Sequence, residues 1–121
     1  MNRGRKSLAA LRIRAELCSR FPEAFFPKGS PKKPLKVGIF EDIAAACPDL
    51  KRWQIALALR DYCRGPSYLA AVGLGLPRVD LCGSELVPVD PDHASHALDL
   101  LSDFPLEIRV RWLPDYVVSV A

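Results

Sequence analysis

The chain has 121 residues, half of them apolar, and a formal net charge of +3. This length suits one domain that can bury a hydrophobic core, and the apolar content argues against disorder throughout. No apolar run approaches the roughly 20 residues of a membrane span, and Arg12, Arg14 and Glu16 interrupt any signal-peptide core, so we expect a cytoplasmic protein.

The first half of the chain is predicted to be helical. A first helix runs over residues 7–20 from a Ser7 cap, and a proline-rich loop follows at 27–34. A second helix is predicted at 34–46, and a third at 50–63 with Asp49 as its N-cap. The apolar residues that we expect on the buried face of the first helix are Leu8, Leu11, Ala15 and Cys18.

The second half combines short helices with strands. Pro66 favours the first turn of a fourth helix at 67–72. Polar and apolar residues alternate over 78–81, and residues 86–89 are apolar. A turn between the two segments predicts a β-hairpin. Asp90 is the predicted cap of a fifth helix that runs to about residue 103. Two further strands are predicted near the end of the chain, at residues 106–112 and 116–120.

Charge is distributed unevenly along the chain. Residues 1–36 hold ten Lys/Arg and two Glu, a net charge of +8, whereas residues 79–105 hold six Asp/Glu and no Lys/Arg. Apolar anchors flank the lysines of the first block, so we expect these lysines on a fixed surface that attracts polyanions. They are Lys28, Lys32, Lys33 and Lys36.

The sequence shows no pattern typical of a metal site or an enzyme active site. Four cysteines are scattered without a Cys-x-x-Cys pair, which favours free thiols in a reducing cytosol over a zinc site. His93 and His96 lie three residues apart, but a capping or packing role is favoured over metal binding because no third ligand is evident. Neither a catalytic triad nor a phosphate-binding glycine loop is present, so we predict neither an enzyme nor a cofactor.

Several basic and aromatic side chains are candidates for binding a polyanion. Lys33 and Lys36 flank Pro34, which stiffens the chain where it presents them. A tyrosine such as Tyr68 can stack on a base or bond a phosphate, and an arginine such as Arg78 can fork onto phosphate oxygens. The full set of candidates is Lys33, Lys36, Arg52, Arg60, Arg64, Tyr68 and Arg78.

Two ordered blocks connect the chain to a known family. The blocks are Pro34-Leu35-Lys36-Val37-Gly38-Ile39-Phe40 and Arg78-Val79-Asp80-Leu81-x-Gly83, with Phe21-Pro22-x-x-Phe25, Ala58-Leu59-Arg60-x-Tyr62 and Tyr68-Leu69 at the expected places. Over about residues 8–104 the chain resembles the ProQ/FinO domain of bacterial RNA-binding proteins.

The resemblance implies a mainly α, α+β fold of about five helices with a small β-hairpin, to which we add the C-terminal strand pair. It divides the chain into a basic arm at 1–7, an RNA-binding domain at 8–104 and an extension at 105–121. The family acts as RNA chaperones in post-transcriptional regulation. It binds small RNAs and messenger 3′ ends at the base of a terminator-type stem-loop and its single-stranded 3′ tail.

The resemblance also implies roles for individual residues. Lys36 matches a binding lysine of the family and Lys33 a neighbouring basic position. Tyr68 and Arg78 match the pocket that receives the RNA 3′ terminus, and the backbone N–H groups at 90–94 are expected to meet a phosphate. Arg52 and Arg60 match basic positions on the third helix.

The chain departs from the family pattern at Ala56, Ser67 and Cys82, so we expect either a lower RNA affinity or a larger contribution of the basic N-terminus to binding. Two other interpretations of the sequence stay open. Short helices with basic patches are also typical of duplex-DNA-binding regulators. Alternatively, residues 106–121 pair with another protein, and the charge is incidental. The partner expected from the resemblance is structured RNA, with no metal, membrane or small-molecule substrate.

Overall fold

The computed structural model describes residues 2–114, with side chains described from residue 8 onward. Within this range the chain forms six helices and one two-stranded sheet. The helices are α1 (Asn2–Arg20), α2 (Ile39–Ala46), α3 (Arg52–Cys63), α4 (Pro66–Gly73), α5 (Pro91–Leu101) and α6 (Leu106–Trp112), and the strands are β1 (Pro77–Val79) and β2 (Glu85–Pro88). This mainly helical α+β architecture confirms the predicted fold class.

The buried face of α1 is not the predicted one. Leu8 is 70 % exposed and Leu11 42 %, whereas Ile13 and Leu17 are buried. Arg14 lies on the buried face with them, since it pairs with a carboxylate of α3. The helix also begins at Asn2 rather than at Ser7, so the predicted basic arm is helical backbone over residues 2–7.

The starts of α2 and α3 also differ from the prediction. Gly38 precedes α2 with φ +88°, a left-handed conformation that favours glycine, and the chain before it is extended. Asp49, the predicted cap of α3, instead pairs with Arg20 at 2.6 Å. The actual start of α3 is stabilised by Gln54, whose side chain accepts a hydrogen bond from the Lys51 N–H at 2.8 Å.

The two later helix starts follow the prediction. Pro66 occupies the first turn of α4, where its missing N–H costs no hydrogen bond. Asp90 caps α5 by accepting a hydrogen bond from the His93 N–H at 2.9 Å. Both starts were predicted because the signal is local to the residues themselves.

The predicted strand at 106–112 is wrong, because this segment is α6. The Pro105 carbonyl accepts hydrogen bonds from the N–H groups of Ile108 and Arg109, at 3.0 and 3.1 Å, and so begins the helix. A helix pairs these backbone groups within the segment, whereas a strand needs a partner edge that an alternating pattern does not supply. The predicted strand at 116–120 lies outside the described residues.

The hairpin forms as predicted and gains a third segment. β1 and β2 are antiparallel, with Pro77 opposite Pro88 and Val79 opposite Glu85. Leu35 forms a parallel bridge to Val79, and the Lys36 N–H donates to the Val79 carbonyl at 2.8 Å. The extended chain before α2 is therefore fixed against β1.

The core is built around aromatic side chains. The Tyr62 ring meets Phe25 edge-on at 5.0 Å and Tyr68 edge-on at 5.6 Å. α3 packs against α1 and α2 on one side of the molecule, and α4 packs against α5 and α6. Among residues 2–114, no helix is both long and apolar enough to cross a membrane.

Candidate nucleic-acid interface

Leu35 is the point at which three separate segments meet. Its N–H donates a hydrogen bond to the Tyr68 hydroxyl at 3.0 Å, and its carbonyl accepts one from the Arg78 guanidinium at 2.8 Å. Lys36 follows directly, with its own backbone bound to Val79. We call Leu35, Lys36, Tyr68 and Arg78 the Leu35 cluster. Chain segments more than 30 residues apart thus place Lys36 and Arg78 together.

Tyr68 contributes to this cluster from the core. The residue is only 7 % exposed, and its ring packs edge-on against Tyr62. Burial raises the pKa of its hydroxyl, which stays protonated at neutral pH. The sequence left two roles open for this tyrosine, stacking on a base or bonding a phosphate, and the buried ring has little free surface on which a base could stack. The hydroxyl instead holds the Leu35 backbone in place.

Arg78 keeps most of its capacity to bind an anion. A guanidinium has five N–H donors, and the Leu35 carbonyl takes one of them. Asp80 and Glu85 are the acidic residues that follow Arg78 most closely in the chain, but neither pairs with it, and within residues 8–114 no ion pair to Arg78 is formed. Its charge is thus positioned by a neutral carbonyl rather than neutralised.

Lys36 and Arg52 form exchangeable ion pairs at the start of α2. The Lys36 ammonium donates to Asp42 at 2.8 Å, and this bond raises the pKa of the ammonium. Arg52 binds Glu41 through two hydrogen bonds, of 2.7 and 3.2 Å, and lies over the Phe40 ring. Exposed pairs of this kind contribute little to stability, so a phosphate can replace the carboxylates.

The remaining candidates lie outside the Leu35 cluster. Arg60 is exposed on the side of α3 that faces away from its buried residues, and it borders a depression of about 250 Å³ beside Trp53. Arg64 is exposed directly after the end of α3. Lys33 is exposed, with its ammonium 5.8 Å from the centre of the Phe26 ring. In the described part of the chain, no hydrogen bond or ion pair joins these three cations to the cluster.

The start of α5 is less open than the sequence suggested. The Asp90 carboxylate already accepts the His93 N–H and also contacts the His93 ring. A phosphate would therefore have to displace a negative charge to reach that backbone group. Among the described residues, no group of three His, Cys, Asp or Glu side chains could hold a metal ion.

Two buried cations were missed by the sequence analysis. Lys32, predicted as part of the exposed lysine run, is 4 % exposed and donates to the carbonyls of Pro27 and Ser30 and to the Ser67 hydroxyl, at 2.7–3.0 Å. Arg14 binds Asp61 at 2.9 Å and lies 4.9 Å from the centre of the Tyr62 ring. The one local signal was the turn-forming Pro-Lys-Gly-Ser run before Lys32.

Comparison with known proteins shows which family this chain is similar to. The model of the ProQ/FINO family matches residues 9–108. The RNA chaperone ProQ of Vibrio vulnificus is 35 % identical over 100 residues, which are 80 % of this chain and 48 % of the relative. The ProQ of Shewanella frigidimarina is 36 % identical over 94 residues, covering 75 % and 46 % of the two chains. The chain thus spans about half the length of these curated relatives.

Solved structures agree with the fold. The solution structure of a ProQ homologue from Legionella pneumophila has a TM-score of 0.67 and 33 % identity, over 78 % of this chain and 81 % of that one. The crystal structure of a FinO-like RNA chaperone from Neisseria meningitidis has a TM-score of 0.65 and 27 % identity, over 90 % and 82 %.

Proposed function

The chain belongs to the ProQ/FinO family, and on that basis we propose that it is a non-catalytic RNA-binding protein and RNA chaperone. Its ligand is a structured RNA, bound at the base of a terminator-type stem-loop together with the single-stranded 3′ tail. The protein acts in the cytoplasm, on small RNAs or messenger 3′ ends, in post-transcriptional regulation. The relatives that carry the name RNA chaperone support this function.

The observation that carries the proposal is the convergence of Lys36 and Arg78 at Leu35. Lys36 directly follows the residue whose carbonyl binds Arg78, and both cations keep unused donors on backbone that is fixed by β1 and by the Tyr68 hydroxyl. Such a rigid pair suits the phosphates of one strand end, since little side-chain freedom is lost on binding. Arg52 extends the basic surface along α2, and Lys33, Arg60 and Arg64 supply further contacts to phosphates.

The shape of A-form RNA favours contacts to its phosphates over contacts to its bases. The major groove of A-form RNA is deep and narrow, so side chains reach its bases poorly and cations along the phosphates supply the affinity. The acidic segment 79–105 repels phosphates and therefore orients the RNA towards the basic face.

A set of matched ligands tests this function by fluorescence anisotropy. We expect tight binding to a stem-loop with a 3′ tail, binding weaker by about tenfold or more when the tail is removed, and weaker binding to the DNA hairpin of the same sequence. Equal affinity for the RNA and DNA hairpins would contradict the proposal. A partner protein that is captured equally well after nuclease treatment would instead support an interaction module.

A further inference from the structure

A second basic site lies in a cavity between α1, the start of α4 and α6. The cavity has a volume of about 350 Å³, within the range of roughly 300–1,000 Å³ that is typical of small-ligand sites. Five cationic side chains line it against one carboxylate, that of Asp61. The cations are Arg14, Lys28, Lys32, Arg64 and Arg111.

The cations of this cavity divide into fixed and available groups. Arg14 is paired with Asp61, and Lys32 donates to three oxygen atoms, so protein contacts hold these two side chains in place. Lys28, Arg64 and Arg111 are exposed, and within residues 8–114 none of the three forms an ion pair. A positive excess therefore remains at the mouth of the cavity.

The cavity is also lined by aromatic and apolar side chains. They are the half-buried residues Phe104, Ile108 and Trp112. The first turn of α4, at Pro66 and Ser67, borders the same space and adds the positive end of a helix dipole. Cations and an indole ring that line one cavity supply the two kinds of contact that a nucleotide needs.

We propose that this cavity binds one nucleotide unit, with its phosphate held by Lys28, Arg64 and Arg111 and its base against Trp112. The forked guanidinium groups suit phosphate oxygens, and an indole face suits any base. The family match covers residues 9–108, so Arg111 and Trp112 lie outside the matched pattern. A free mononucleotide and a nucleotide within RNA share this chemistry.

The test uses AMP alone and therefore does not depend on RNA binding by the Leu35 cluster. Trp53→Phe leaves Trp112 as the only tryptophan, so its fluorescence reports on the cavity. In this background we expect AMP to change the emission, and adenosine to bind at least about tenfold more weakly because it lacks the phosphate. Arg64→Gln and Arg111→Gln should each weaken the binding of AMP by about tenfold. Arg12→Gln, on the exposed surface of α1 outside the cavity, should leave the affinity for AMP unchanged.

Three results would overturn the proposal: unchanged emission at millimolar AMP, equal affinity for adenosine and AMP, or equal losses in the Arg12 and Arg111 variants. Circular dichroism of each variant confirms that the fold is retained, and Arg64→Gln gives an independent test should Arg111→Gln misfold. A second arm identifies the source of the phosphate. Displacement of AMP by a stem-loop RNA supports an RNA nucleotide as the natural ligand, and retention of AMP supports a free nucleotide.

Discussion

Leu35 shows how a residue without a charge can organise the site that we propose for RNA. Its N–H and carbonyl orient Tyr68 and Arg78, and these contacts place the following lysine. The family motifs identified Lys36 and Arg78 from sequence because each lies in a short ordered block. Arg14 and Lys32 could not be recognised in this way, because their burial depends on Asp61 and Ser67, which lie 47 and 35 residues away.

Cys63 gives a prediction about pH. Burial raises the pKa of its thiol from 9.0 to about 11, so the folded state favours the neutral thiol. The free energy of unfolding is unaffected by this group below pH 9 and falls as the pH rises from 9 towards 11, by up to about 2 kcal/mol. Urea denaturation across this range should show a smaller loss for Cys63→Ala than for the wild type.

The exposed Cys82 supplies the matched control for this experiment. Cys82→Ala should lose stability with rising pH as the wild type does. Identical pH profiles for the Cys63 and Cys82 variants would show that ionisation of the buried thiol is not the cause.

Among the elements, those with local start signals were predicted best. Pro66 and Asp90 mark α4 and α5 whatever surrounds them. The alternation of Leu106, Ile108 and Val110 with polar residues is typical of a strand, but in α6 Leu106 and Val110 are exposed and only Ile108 is half-buried, so the alternation does not mark the buried face. The deciding contacts are tertiary, since α6 packs on α4 and the next residue enters the core.

The packing of α6 predicts a contrast between two neighbouring residues. Leu113, directly after the helix, is 4 % exposed, whereas Val110 is 46 % exposed. We expect Leu113→Ala to lower the free energy of unfolding by about 2–4 kcal/mol because it leaves a cavity, and Val110→Ala to change it by less than about 0.5 kcal/mol. Urea denaturation measures both. Similar small losses in the two variants would mean that the end of α6 does not pack on the core.

At the scale of the whole molecule, charge separates along the chain. The block 1–36 carries most of the positive charge, and the segment 79–105 is wholly acidic among its charged residues. This asymmetry was visible in the sequence because it needs only counting. Which lysines point to solvent was not visible, as Lys32 shows, since exposure depends on the folded chain.

Binding that depends on phosphate contacts must weaken with salt. Each phosphate contact contributes about 0.7–0.9 to the slope of log affinity against log salt, so about four contacts predict a loss of roughly 50- to 150-fold between 50 and 200 mM salt. Anisotropy titrations of the tailed stem-loop over this range measure the slope. A loss below about fivefold would indicate that fewer than two phosphates are neutralised.

The most direct test of the Leu35 cluster is the affinity of Lys36→Ala and Arg78→Ala for a stem-loop with a 3′ tail, with Arg12→Ala as the control for loss of one charge. Lys36 forms only an exposed ion pair through its side chain, so its removal leaves the fold intact. We predict that each cluster variant binds about tenfold or more weakly, and that the Arg12 variant stays close to the wild type. Affinities of both cluster variants near that of the wild type would contradict the account.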